Sequence, residues 1–523
     1  MNTQWLNVIY DAEFGQQGVR DFTELCTGRG ASTEDVLPVK SLRIRHGDDA
    51  DVMNHGIDHP GGRVLAPGRE LIDESHATTI DPIRHQADIQ AQTETGVFRA
   101  LCALARGAIT REAQTKEAQT KEAQTKEALT HPRSSPRYAW RSLSLDVSRY
   151  KASIEEIERV IDLLALHGMS VLHLHLTDHQ SWRIPVDGFD LLSQSPDCFT
   201  WKQLDGLKHY ARQRHITLVP EIDLPGHCAA LLERYPELAG RPSFAHPFLS
   251  YVNVRTEESR RFLSACSRSL SRLATGAYVH IGGDEVLGIP ETDFNEAMRL
   301  LQDGVHERGL KTIAWQEGCR GKETADAYQF WMDEQDIPSE ESLVGAWPQQ
   351  FSSVARQAAA MYALCRDDPR RLRAKGSMVI DSQQSFVYLD RKYAEQSQVP
   401  EQNERMRTLG FPGYAPKNST EPLGWSPISD GHGGTAPGID QSQATLTAGV
   451  EAALWTETVR STADMDMLLL PRLALIADFA WTGNPRLTQD GALLQRMRDY
   501  AKVWTLLGYD DFYRSSSLFP RLG

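Results

Sequence analysis

Two acids stand side by side in YVHIGGDEVLG, residues 278–288, where Asp284 and Glu285 follow an apolar run and a pair of glycines. Other acids recur at the C-terminal edges of apolar stretches: Asp146 in RSLSLDVS, Asp178 in SVLHLHLTD, Glu221 and Asp223 in ITLVPEID, Glu317 in KTIAWQE and Glu457 in VEAALWTE. Any one of them could cap a helix or stand on the surface. Their joint recurrence at strand ends predicts a substrate cleft, and three chemistries could occupy it.

The first is metal-assisted hydrolysis. HLHLTDH puts His173 and His175 on one strand face, as a metal site would want. No further set of histidines falls at other strand ends, so the ligand count is against a metal, and no cofactor is expected. The second is the two-carboxylate scheme of ordinary glycosidases, in which acid and nucleophile face each other about 5 Å apart, or further apart for inversion. Successive residues on a strand point to opposite faces, which makes Asp284 and Glu285 poor partners across one bond. The third is substrate-assisted cleavage. A 2-acetamido group attacks its own anomeric carbon, one acid protonates the leaving oxygen, and the neighbouring acid steadies the positive charge on the acetamide. Two anions this close also raise each other's proton affinity, which helps keep the acid protonated near neutral pH.

Positioning these acids requires strands that end on one face. Eight candidates are 141–148, 170–178, 216–223, 277–285, 311–317, 328–332, 377–382 and 450–457, alternating with amphipathic helices such as 153–168 and 464–481. That rhythm predicts an α/β fold, a (β/α)8 TIM barrel over 137–523 with its active site at the C-terminal strand ends. About ten residues separate the fifth and sixth strands, too few for a full helical crossover. The long connection 391–448 is expected to be a lid or disordered, with Trp425 as a sugar platform if it folds over the barrel mouth. Residues 1–110 read as a small α+β domain, with helical spacing of Val97, Leu101, Leu104 and Ala108. Between the two lies a linker, 111–136, in which EAQTK recurs every five residues. Its Glu and Lys fall at i,i+4, but a five-residue period drifts around a helix and forms no apolar stripe, so a solvated spacer is expected.

Composition limits the partners. With 40% hydrophobic and 24% charged residues the 523-residue chain can bury a sizeable core, and its formal net charge of −14 argues against nucleic-acid and anionic-membrane binding. No apolar run approaches the ~20 residues of a membrane span, and MNTQWLNVIYDAEFGQQG lacks the basic and apolar regions of a signal peptide, so a cytoplasmic location is expected. The seven cysteines form no CxxC pair and are expected to be reduced, mostly buried thiols.

HIGGDE (280–285), WRSLSLDVSRY (140–150), LHLTDHQSWRI (174–184), VPEIDLPGH (219–227), VYLD (387–390) and EAALWTE (451–457) resemble, in this order, the motifs of the β-N-acetylhexosaminidases of glycoside hydrolase family 20. That family is a known exception to the two-carboxylate scheme. The resemblance implies that Glu285 is the general acid and base, that Asp284 orients the acetamido group, and that Tyr388 donates to its oxygen. It also implies that Trp315, Trp331 and Trp455 wall the sugar pocket, and that Arg141, Asp178, Asp390 and Glu457 bind ring hydroxyls. His227 and His280 would support the acids, and Trp182 reads as structural. Ser142, His179 and Gln316 depart from the family's usual residues. The expected activity is exo-acting, retaining removal of terminal β-linked N-acetylglucosamine or N-acetylgalactosamine from an oligosaccharide or glycoconjugate. Alternatives are release of a disaccharide of the lacto-N-biosidase kind, a non-catalytic sugar-binding protein, and a metal-dependent hydrolase.

Overall fold

The computed structural model describes residues 7–10, 13–47, 66–81, 83–107, 129–130, 134–241, 250–322, 324–425, 427, 446–483 and 492–519. The EAQTK repeats lie outside the described residues.

In the N-terminal region β1 (Asn7–Tyr10), β2 (Ser41–His46), β3 (His76–Asp81), β4 (Gln86–Ala91) and β5 (Leu129–Thr130) form one sheet in the order β1-β2-β4-β3-β5. Strands β1, β2 and β4 run parallel, and β3 is antiparallel to β4 and β5. Ala87, Ile89 and Ala91 are buried while Gln86, Asp88 and Gln90 are half-buried, the alternation of a sheet with one face on a core. Two helices, α1 (Gln16–Gly28) and α2 (Glu94–Ala105), pack against each other over this sheet.

The second unit is a closed barrel of eight strands: β6 (Trp140–Asp146), β7 (Val171–His175), β8 (Thr217–Glu221), β9 (Tyr278–His280), β10 (Lys311–Trp315), β11 (Ala327–Phe330), β12 (Met378–Asp381) and β13 (Leu446–Leu454). Every pairing is parallel. All seven residues of β6 are buried, as expected for a strand with the barrel core on one side and helices on the other. The main crossover helices after β6, β7, β8 and β9 are α3 (Ile154–Leu166), α4 (Trp201–Gln213), α5 (Glu257–Leu273) and α6 (Glu291–His306). Ser153 and Glu156 form a reciprocal capping box that starts α3, and Thr200 with Gln203 does the same for α4.

Between β10 and β11 the described chain holds only a 3-10 turn, Gln316–Arg320, so the helical ring is open there. The connection from β11 to β12 is long and carries α7 (Glu340–Ala346), α8 (Ser352–Ala363) and α9 (Asp368–Lys375). After β13 come α10 (Thr462–Leu469), α11 (Arg472–Thr482) and α12 (Ala492–Leu506). The sequence predicts one helix over 464–481. Pro471, which has no amide hydrogen to donate, divides it in two.

The two units share one continuous apolar core, and α2 touches α3. A buried ionic cluster joins them: Glu74 accepts from Arg99 Nε at 2.7 Å and from Arg141 Nη2 at 2.9 and 2.7 Å.

Candidate active site

Most of the charged groups of the cleft stand past the end of a barrel strand. At the end of β6, Asp146 Oδ1 accepts the amides of Ser148 and Arg149 at 2.8 and 3.1 Å, folding the chain so that Arg149 turns inward. Arg149 Nη2 lies 2.6 Å from Asp178 Oδ2 and 4.0 Å from Glu457 Oε1, and the guanidinium stands 5.3 Å over the Trp455 ring. Asp178, just past β7, also meets His175 Nε2 at 3.0 Å and His227 Nδ1 at 3.1 Å. Burial alone would raise its carboxyl, but His227 and Arg149 hold it well below the usual carboxylate range.

The strand expected over 277–285 ends at His280, and this changes the geometry of the two adjacent acids. Gly282 (φ +71°), Gly283 (φ +104°) and Glu285 (φ +51°) carry the chain through the left-handed region. A Cβ on Gly282 would lie 2.0 Å from Asp223 Oδ1, the same oxygen that accepts the Gly283 amide at 3.0 Å. Strand alternation therefore does not apply, and Asp284 and Glu285 both line one cleft.

Burial, reinforced by Asp223, pushes the Asp284 carboxyl well above its usual value, and burial with Glu221 pushes Asp223 up to about 8. The counter-charge is His227. Its Nε2 is 3.7 Å from Glu285 Oε2, 3.8 Å from Asp284 Oδ2 and 3.9 Å from Asp223 Oδ2. Burial opposes its protonation, but Asp178 and Asp284 raise it to about 9, so the ring is a cation near neutral pH.

The apolar side of the cleft is aromatic. Trp331, just past β11, lies nearly parallel to Tyr388 at 6.4 Å between ring centroids, and Tyr388 meets Trp455 at 6.0 Å and 64°. Trp331 Nε1 donates to Glu317 Oε2 at 3.2 Å, and Tyr388 is tied to the end of β13 by a parallel bridge to Ala453. Asp390 and Glu457 complete the rim. Burial pushes both carboxyls up, with Glu457 adding to the effect at Asp390. Asp390 Oδ1 and Asp284 Oδ1 are buried without a hydrogen-bond partner among the described residues, a costly state that sugar hydroxyl or amide donors would relieve.

Beneath the floor lies a polar layer. Glu221 accepts from Trp315 Nε1 at 2.7 Å and pairs with His175 Nδ1 at 2.5 Å, while His280 Nδ1 stands 2.8 Å away. His173 Nδ1 is 2.9 Å from Glu451 Oε1. Several His and carboxylate groups here come within 4.8 Å of one another, among them His173–Glu221–His280 and Asp178–His179–His227. Among the described residues none joins His173 to His175.

Of the residues expected from the sequence, Asp178, His227, Asp284, Glu285, Trp331, Tyr388, Asp390, Trp455 and Glu457 line the cleft. Trp315 and His280 do not line it: both are buried beneath it against Glu221, and Trp315 packs on Trp455 at 6.0 Å between ring centroids. Arg141 is a correction. It stands at the start of β6, where its guanidinium donates to Glu74 and to the carbonyls of Gly168 and Tyr138, and Arg149 takes the place in the cleft expected of it. Trp425 is also corrected: it is 1% exposed, donates to Asp381 Oδ1 at 3.2 Å and packs on Phe479. The connection that carries it supplies Phe411 and Tyr414 to the cleft instead. Trp182, with its Nε1 on the Ile184 carbonyl, is core. The whole cleft encloses ≈ 510 Å³, within the ~300–1,000 Å³ usual for small-ligand sites.

The model of glycosyl hydrolase family 20, catalytic domain, matches residues 138–484. A β-N-acetylhexosaminidase of Cellulomonas fimi is 28% identical over 458 residues, covering 84% of this chain and 80% of that protein. A β-hexosaminidase of Porphyromonas gingivalis is 25% identical over 391 residues, 71% of this chain and 46% of its own length. Among solved structures, the family 20 β-N-acetylhexosaminidase of Streptomyces coelicolor A3(2) superposes with a TM-score of 0.67 at 24% identity, over 97% of this chain and 93% of that one. The N-acetyl-β-hexosaminidase of Streptomyces plicatus gives 0.68 at 23% identity, over 99% and 94%. The structural likenesses establish the barrel and the domain before it; with the family match and the relatives, they make this chain a member of glycoside hydrolase family 20 and a glycosidase of the β-N-acetylhexosaminidase type.

Proposed function

We propose that the protein removes a terminal β-linked N-acetylglucosamine or N-acetylgalactosamine with retention of configuration, using the substrate's own acetamide as nucleophile. The observation that carries this reading is the shared position of Asp284 and Glu285 beside the pocket of Trp331, Tyr388 and Trp455, which suits an apolar acetyl methyl and the C–H surface of a sugar. In the first half-reaction the acetamido oxygen bonds to C1 as the C1–O bond breaks. Glu285 gives its proton to the departing oxygen, Asp284 holds the acetamide N–H, and Tyr388 donates to the acetamide oxygen. In the second half-reaction water attacks C1, Glu285 takes its proton, and the acetamide is restored. Arg149, Asp178, Asp390 and Glu457 are the groups for the ring hydroxyls, with Arg149 held to two of these carboxylates in advance.

The test is hydrolysis of an aryl β-N-acetylglucosaminide and the matching aryl β-glucoside, with and without a chelator. Cleavage of the acetamido sugar alone, indifferent to chelator, is the expected outcome. Equal cleavage of both sugars would remove the acetamide from the mechanism. Activity only on a disaccharide glycoside would move the reading to disaccharide release.

A further inference from the structure

Tyr362 enters the cleft from an element that the barrel strands do not define. It lies near the end of α8, within the β11–β12 connection, and donates its hydroxyl to Glu285 Oε1 at 2.6 Å. Its ring is half-buried and packs against the cluster of Trp315, Trp331, Met332, Cys365, Tyr388 and Ala453. The helix beneath it is seated by buried Val354, Ala355, Ala358 and Ala359. A short charge-assisted bond to a hydroxyl fixed this way orients the carboxylate that receives it.

Glu285 needs such a partner. Its side chain is 34% exposed, and its backbone sits at φ +51° after two glycines. A long carboxylate there has several rotamers open to it unless something selects one. The titratable groups facing it are His227 from beyond β8, its neighbour Asp284, Tyr362 from α8 and Tyr414 from the β12–β13 connection. Tyr362 is the one within direct hydrogen-bond distance among the described residues. The two carboxyl oxygens are therefore different: Oε1 accepts from Tyr362, while Oε2 lies 3.7 Å from His227 Nε2.

We propose that Tyr362 is a positioning residue for Glu285, holding Oε1 as an acceptor so that the proton passed to and from the substrate is carried on Oε2. The inference rests on the reading of Glu285 as general acid and base. In the first half-reaction the proton leaves Oε2 for the glycosidic oxygen, which keeps the electron pair of the broken C1–O bond. In the second half-reaction a proton from water returns to Oε2. Tyr362 keeps its own proton throughout. Burial, and after it the charge of Glu285, pushes its hydroxyl well above the usual tyrosine value, so it stays a donor.

Two measurements on the full chain test this. In the first, kcat/KM is compared for Tyr362→Phe and the unsubstituted protein on an alkyl β-N-acetylglucosaminide and on a dinitrophenyl one. Losing one hydrogen bond to a charged group should lower the alkyl value roughly 10- to 100-fold. The dinitrophenyl value should fall much less, because that leaving group needs little protonation. In a Glu285→Gln background the same substitution should add less than about twofold, as expected when one residue acts through the other. Equal losses on both leaving groups, or an undiminished loss in the Gln background, would overturn the inference.

The second measurement needs no substrate. In protein labelled at tyrosine Cζ with carbon-13, the signal that disappears in Tyr362→Phe should titrate at lower pH in Glu285→Gln, since removing the carboxylate charge eases ionisation of the hydroxyl. An unmoved titration overturns the contact even if acetamido sugars are cleaved. A moved titration in a protein that cleaves none keeps the contact and overturns the functional reading instead.

Discussion

Around His227 four carboxylates converge: Asp178 at 3.1 Å, and Glu285, Asp284 and Asp223 between 3.7 and 3.9 Å. A cation there lets these acids crowd into one cleft without repelling the fold apart. Arg149 plays the matching part between Asp178 and Glu457, and the two arginines of WRSLSLDVSRY carry opposite predictions. Arg149→Lys keeps the charge but loses the planar fork shared between Asp178 and Glu457, and steady-state kinetics should show kcat/KM lowered by roughly 10- to 100-fold with little change in melting temperature. Arg141→Lys should do the reverse, lowering the melting temperature while kcat/KM per folded molecule stays within about twofold, since that guanidinium touches nothing in the cleft. Residue type does not separate the two arginines, but position along the strand does. At ~3.3 Å per residue, Arg141, the second of seven residues in β6, stands roughly 16 Å from the strand end where the acids collect. Arg149, three residues past Asp146, was legible by that measure. Tyr362 and Tyr414 were not, because nothing in the residues around them marks a position that only tertiary packing brings to the cleft.

Barrel closure was readable because eight short apolar runs, most of them followed by a polar residue, alternate with amphipathic segments. Strand ends were less readable. The run 277–285 looks continuous, yet its last five residues form the turn that aims both acids at one place, and the two glycines are the signal that separates them. Gly282 is the position where this matters most, so Gly282→Ala combines a left-handed backbone with a Cβ driven into Asp223. A loss of about 2–4 kcal/mol in urea unfolding is expected, together with reduced turnover because Asp284 lies in the displaced turn and Asp223 is bonded to it. Full activity at unchanged stability would mean that the turn tolerates a different path. The β11–β12 connection was the least readable element: α7 and α8 pack on each other, Leu343, Met361 and the adjoining Trp347 line the cleft, and Tyr362 seats the pair on the cluster of Trp331 and Tyr388 rather than by any local pattern.

At the scale of the whole molecule, the N-terminal unit is bound to the barrel by charge as well as by apolar packing. Glu74 is 7% exposed, and burial, which by itself would raise its carboxyl, is outweighed by Arg141 and Arg99, leaving it below the ordinary value of 4.5. Burial pulls Arg141 down in turn, but a guanidinium bonded to a carboxylate at 2.7 Å remains a cation. Because the folded value is depressed, the stability this pair contributes is complete above about pH 4.5 and is lost as pH falls through the folded value. Glu74→Gln should therefore cost roughly 3–5 kcal/mol at pH 7, where it strands two buried arginines. The gap to the unsubstituted protein should narrow in unfolding curves taken below pH 4.5, and a gap that stays constant into acid would show that the carboxylate charge is not what holds the units together. This interface had no signal in the sequence, since its partners lie 25 and 67 positions apart. The return of the chain to the N-terminal sheet as β5 has another consequence. The segment bearing the repeats leaves from α2 and comes back beside β3, and α2 itself rests on β3, so both of its ends are anchored in the same small domain. Adding or removing an EAQTK unit should therefore leave the seating of the barrel on its neighbour, and the melting temperature, nearly unchanged, because both points of attachment lie in the smaller domain.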